Sequence, residues 1–261
     1  MSAILKLVSF LGATLLLAAC SLTDWNERLS SPQERAQALN FVAAFRAGRL
    51  ATIEGQIDPS IFKQTVVERE RQLSQVPMAG APQLITVSAQ SNTIGGNTTS
   101  LKSFNYEFGS GTKWAIFQVT LSAEQKGGIV AGWRLFPSSE QPTAINKFSL
   151  SGKSGLHFLW LFLMAASVVT CITGAVLAFR DRATSNRWLW VVGSVFGFIT
   201  FDLNWTTGAI GFRPISFMLL GASGVQPSPL EPWIFSFAIP IVAIIVIVRK
   251  LRSGSSETAD T

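Results

Sequence analysis

Charge is what this chain has least of. Only 14% of its 261 residues are Asp, Glu, Lys or Arg, where a soluble domain carries about a quarter. Part of the chain is therefore built for lipid. Cysteine is nearly missing too. Of the two present, Cys20 closes a leader-like segment and Cys171 sits inside an apolar run. Neither reads as half of a disulfide or as a metal ligand. There is one histidine, His157, and one tyrosine, Tyr106. No catalytic constellation, metal-ligand cluster or phosphate-binding glycine loop is legible. The expectation is a non-enzyme with no catalytic residue, no metal and no cofactor.

What is present is apolar and aromatic. Hydrophobic residues make up 48% of the chain, with eight Trp and nineteen Phe. Core packing and the aromatic belts at membrane surfaces account for these without a ligand. The net charge is +6. In a chain of this composition such an excess belongs to cytoplasmic loops, so no nucleic-acid partner is expected.

Residues 1–19 carry one basic side chain, Lys6, then an apolar run over 7–17 too short to span a bilayer, then small residues. This is a secretory signal pattern. It ends Leu17, Ala18, Ala19, Cys20. That ending resembles the bacterial lipobox. The resemblance implies removal of the preceding peptide, acylation of Cys20 and lipid anchoring outside the cytoplasm. Ser21 follows, so no Asp stands there as a retention signal. Residues 20–31 read as a tether.

Over 32–138 a small domain is expected. Ser31 and Pro32 start a helix whose Ala38, Phe41, Val42 and Phe45 share one face. Gly48 stops it. A short helix over 50–57 and a third over 59–76 follow, the latter with a charged run over 68–71 that reads as a solvated face. The period then changes to two, giving strands over 84–90, 101–108, 113–123 and 129–136. Short turns between them make an antiparallel meander, with the three helices on one face. This order, with FVAAFRAGRL at 41–50 and Asp58-Pro59 after it, resembles the NTF2-like fold. The resemblance implies a cone with a pocket between helices and sheet. Tyr106, Trp114 and Trp133 are the candidates to line it, each weighed against plain core packing. Glu107 falls on the polar face, toward solvent.

Residues 139–154 read as a linker. Three apolar runs follow, over 156–179, 188–205 and 233–248, and make 155–252 a three-helix transmembrane domain; 253–261 is then a cytoplasmic tail. The expected fold class is thus an α+β external domain, three helices packed on a curved antiparallel sheet, plus an α-helical membrane domain. With Cys20 outside, three crossings place Arg180, Arg182, Arg187, Arg249, Lys250 and Arg252 inside and leave only Arg213 in the outer loop. This agrees with the positive-inside rule. The interrupted run 210–220 reads as an interfacial or re-entrant helix, and Pro240 as a kink. His157, Asp202 and Arg213 form a candidate polar cluster at the outer edge, with Asp202 and Arg213 read as an ion pair.

The functional expectation is a multi-pass lipoprotein of the bacterial inner membrane. Its external, periplasmic domain would act as a binding or scaffolding module. Its partners would be membrane lipid and either another envelope membrane protein or a small ligand. Two alternatives stand beside it: a small transporter or channel accessory subunit, and an enzyme using the pocket. Metabolic labelling with a fatty acid should mark the wild-type chain and fail in Cys20→Ser; a labelled serine variant would refute acylation at that position.

Overall fold

The computed structural model describes residues 22–76, 78–94, 97–111, 113–122, 128–181 and 186–257. Cys20 and the signal expected before it lie outside the described residues. The chain divides into two compact units, Met1–Ala144 and Ile145–Thr261.

The first unit runs through helices α1 (Leu22–Leu29) and α2 (Pro32–Ala47), a 3₁₀ turn (Leu50–Gln56) and helix α3 (Pro59–Gln75). Strands β1 (Gln83–Ile94), β2 (Asn97–Ser110), β3 (Lys113–Ser122) and β4 (Ile129–Ser138) follow. At the start of α2 the Ser31 hydroxyl accepts from the Glu34 amide, and the Glu34 carboxylate accepts from the Ser31 amide. Two otherwise orphaned donors are satisfied reciprocally. Gly48 ends the helix at φ 70°, a left-handed conformation that costs glycine little. Asp58 caps α3 by accepting from the Ser60 amide.

The strands form an antiparallel sheet in the order β1-β2-β3-β4. Phe104, Val119 and Trp133 are register partners across it, as are Tyr106, Phe117 and Leu135. Paired residues share a face, so these rows meet the helices. Phe41 and Phe45 from α2 and Phe104, Phe108 and Phe117 from the sheet form the buried centre. Asn26 ties α1 to the edge strand: its Oδ1 accepts from the Val87 amide at 2.8 Å and its Nδ2 donates to the Ile85 carbonyl at 3.3 Å. Glu107 corrects an expectation. It lies on the second face of the sheet, yet it is buried. The chain beyond β4 returns over that face, and Thr143 (amide and hydroxyl) and Gln141 donate to its carboxylate, each at 2.9 Å. Alternation told which face Glu107 occupies, but not that a later segment covers it.

The second unit overturns the expected helical membrane domain. Helix α5 (Gly155–Arg180), which follows the single turn α4 (Pro142–Ile145), is the one helix among the described residues long and apolar enough to cross a membrane. Its 26 residues reach about 39 Å at 1.5 Å each. The second expected crossing, 188–205, is instead a two-turn helix α6 (Arg187–Ser194) followed by strand β5 (Phe196–Asn204). The segment read as an interfacial or re-entrant helix, 210–220, is strand β6 (Ile210–Leu219), followed by β7 (Ala222–Val225). The third expected crossing, 233–248, is strand β8 (Ile234–Ile239) leading into helix α7 (Ile241–Glu257). Pro240 is no kink: its carbonyl accepts from the Ile244 amide and opens α7. These strands pair antiparallel in the order β6-β5-β8-β7.

The physical reason is plain. A continuous apolar run has no period by which to tell a buried strand from a helix. Here β5 takes strand partners on both sides, β6 and β8. The face bearing Leu203, Phe235 and Phe237 packs on Trp160 of α5, and the Trp160 indole donates to the Phe235 carbonyl at 2.9 Å. Small residues allow the approach. A Cβ on Gly174 would lie 2.5 Å from the Ala243 Cβ of α7, and one on Gly197 would lie 2.6 Å from the Ala238 Cβ. Gly174→Leu should therefore destabilise this unit by about 1–3 kcal/mol through overpacking, read as a lowered melting temperature in detergent. An unchanged melt would mean the helices are not in this contact.

Candidate functional site

The groove of the first unit is built from α3 and the edge strand β4. Helical spacing turns Ile61, Gln64, Glu68 and Gln72 toward one side, and they face Trp133 and Arg134 across an open cavity of about 450 Å³. Its floor is rigid. Trp133 stacks on Phe117 with planes 10° apart and centroids 5.9 Å apart, and it sits 4.6 Å from the Phe45 ring. Its indole N–H donates to the Thr65 hydroxyl at 2.9 Å, and that hydroxyl donates in turn to the Ile61 carbonyl at 2.9 Å. The rim is polar: Arg71 pairs with Glu68 on α3, and Arg134 is exposed. An apolar floor ringed by amide, carboxylate and guanidinium groups suits an extended, mixed-polarity ligand.

Of the three residues expected to line a pocket, Trp133 alone does so. Tyr106 is 3% exposed, and its hydroxyl makes a long 3.4 Å hydrogen bond to the Arg35 carbonyl. Burial pushes its phenol up to about 12, against the nearby Arg35 charge, which pulls it down. Trp114 pairs with Gly109, adjoins the inward-facing Ala115 and so points to the opposite face of the sheet. Its indole donates to the Gly111 carbonyl in the turn at 2.7 Å. Gln64, Thr65 and Gln72 escaped sequence reasoning. Thr65 and Trp133 are 68 residues apart, and no local pattern links them.

Glu34 supplies a second electrostatic anchor. Its carboxylate accepts from Lys102 at 2.8 and 2.9 Å. Burial opposes its ionisation. The hydrogen bonds from Lys102 and the Ser31 amide, with the Lys102 charge, outweigh that burial and hold it below the usual carboxylate value.

The structure separates the expected polar cluster of the second unit. Asp202 on β5 accepts from Arg213 on β6 in a two-pronged pair, at 2.9 Å from Nε and 2.7 Å from an Nη, and from the Ser236 hydroxyl on β8. The pair clasps three neighbouring strands. His157 belongs elsewhere. Its Nδ1 meets the Ser154 hydroxyl at 2.9 Å, and its ring stands edge-on to Trp205 at 4.9 Å. Its buried Nε2 has no hydrogen-bond partner among the described residues. The adjacent Leu203 packs on the α5 side, so strand alternation turns Asp202 away from that helix. The shared outer edge expected for these residues did not mean contact.

Among the described residues no group of three or more His, Cys, Asp or Glu side chains is arranged to hold a metal. No family model, curated protein or solved structure matches the chain.

Because Tyr106 is the chain's one tyrosine, phenolate absorbance reports it alone. Its titration midpoint should lie near 12, falling toward 10 on unfolding. The folded state holds this proton more tightly than the unfolded chain, so the stability it lends is complete below pH 10 and fades as pH rises toward 12. A native midpoint near 10 would place Tyr106 in solvent.

Proposed function

We propose that this chain is a membrane-anchored envelope protein whose first unit is a binding module, with the groove between α3 and β4 holding a segment of another envelope membrane protein. The groove carries the reading: a rigid aromatic floor at Trp133, a polar rim and about 450 Å³ of open space. A rigid indole contributes contact area with little entropy lost on binding. Glu68 is engaged by Arg71, so the rim's charges suit recognition better than proton transfer.

Membrane anchoring is supported by α5. Only 22% of its most apolar stretch is buried, and Phe162, Val169 and Phe179 are each more than half exposed. A core helix of a soluble protein would bury such a face. Acylation of Cys20 would add a second anchor outside the cytoplasm. In the second unit the end of α5 and the basic stretch of α7 lie side by side, with Ala178 and Val246 lining one cavity. Arg187, Arg249 and Lys250 gather there. By the positive-inside rule that end faces the cytoplasm, and the chain before α5 is external.

A photo-crosslinking side chain placed at Gln64 should give a discrete adduct with one envelope protein in intact cells. Arg134→Glu, an exposed change outside the core, should weaken that adduct several-fold while leaving the melting temperature unchanged. Illumination that yields no adduct, or an adduct indifferent to Arg134→Glu, would remove the groove from consideration.

A further inference from the structure

Two neighbouring segments and a third about sixty residues further along the chain meet at the basic end of the second unit. Asp181 just beyond α5, Arg187 and Trp190 of α6, and Arg249 and Lys250 of α7 line a small cavity of about 70 Å³. Three of these side chains are cationic and one is anionic. Lys250 lies 3.0 Å from the Asp181 carboxylate, and the lining as a whole is basic. The cations are held in place. The Arg249 guanidinium lies over the Trp190 ring at 4.5 Å, and that of Arg187 lies 5.8 Å from the Phe179 ring and 5.9 Å from the Trp188 ring. A guanidinium lying over an aromatic face keeps its charge and directs its N–H donors along its own plane. That planar fork matches the oxygens of a phosphate group.

The surroundings select among phosphates. Phe179 is 52% exposed, Leu189 70% and Leu251 68%. Exposed hydrocarbon thus stands beside the cations in space at Phe179, whose ring lies 5.8 Å from the Arg187 guanidinium, and next to Trp190 and Lys250 along the chain at Leu189 and Leu251. A soluble phosphate would meet the cations and leave that surface wet. A molecule with an anionic head and acyl chains satisfies both, and basic pockets between helices at the cytoplasmic side of a bilayer suit such headgroups. We propose that this cavity binds the phosphate headgroup of an anionic phospholipid, whose acyl chains run along the exposed apolar side chains of α5, α6 and α7. The site rests on the membrane reading above and adds to it a defined lipid position made by three helices.

The test uses the full chain in nanodiscs of phosphatidylcholine containing one part in about five phosphatidylglycerol, enough that a preference worth two basic contacts is visible. Native mass spectrometry after release reads the lipids retained. The wild type should keep phosphatidylglycerol over phosphatidylcholine by roughly tenfold or more, as expected for two or three basic contacts. Arg187→Gln with Lys250→Gln should bring the ratio near parity, and Arg213→Gln, at a charge outside the cavity, should leave it unchanged. Lys250→Gln alone keeps Arg249 on Trp190 and should show a partial loss, which answers the question even if the double variant fails to fold. Equal retention of the two lipids by the wild type overturns the proposal, as does full retention by the folded double variant. Displacement of the lipid by millimolar inorganic phosphate would mark a site for free phosphate and overturn the lipid assignment. Extraction of the wild-type chain from membranes by alkaline carbonate would remove the membrane reading and this proposal together. A chain that resists extraction but shows no headgroup preference loses only the proposal.

Discussion

In the second unit everything depends on β5 being hydrogen-bonded on both sides. Its nine residues, FGFITFDLN, lie between β6 and β8, and this central position decides the rest. It brings Ser236 and Arg213 to the two sides of Asp202. It sets Phe201 and Leu203 against α5. It also requires glycine where neighbours crowd the backbone, as at Gly197 beside Ala238. In an apolar environment an unpaired backbone amide costs several kcal/mol, so a strand of this composition is held by its partners rather than by its own propensity. The small residues of α5 and α7 then let the helices close on one another, with Gly174 against Ala243.

The first unit rests on a different constraint, the need to cover one face of a meander with short helices. Phe41, Phe45, Phe117 and Trp133 form a contiguous ring cluster that fills the core and reaches the groove through Trp133. Trp133 thus serves both packing and the candidate site. Trp133 is fixed on one side by rings and on the other by the Thr65 hydroxyl. Polar ties complete the unit at places where apolar packing has no reach: Asn26 to the edge strand β1, and Glu107 to Gln141 and Thr143.

Charge is sparse in this chain, and much of what there is works in pairs or on aromatic faces. Asp202 with Arg213, Glu34 with Lys102 and Asp181 with Lys250 are ion pairs. Arg187 and Arg249 lie over rings. Arg187 of α6 and Arg249 and Lys250 of α7 line one cavity of the unit.

Much of the first unit was legible because its elements announce themselves locally. Ser31, Pro32 and Gly48 mark the ends of α2, and the change of period from 3.6 to two marks where strands begin. Strand limits came within a few residues of those observed, since alternation such as Phe104, Tyr106, Phe108 has one structural meaning. The sequence by itself also determined that α5 is long and apolar enough for a bilayer, and which face of the sheet Tyr106 occupies. Tertiary structure alone decided the rest. A uniformly apolar run such as 188–205 is compatible with helix or strand, and only the partners of β5, drawn from as far as residue 239, resolve it. Tyr106, Trp114 and Trp133 looked alike as candidates until register placed one in the core, one on the far face and one in the groove. The same holds for His157 and Asp202. Contacts between residues dozens of positions apart are set by packing and pairing, which composition and period do not encode.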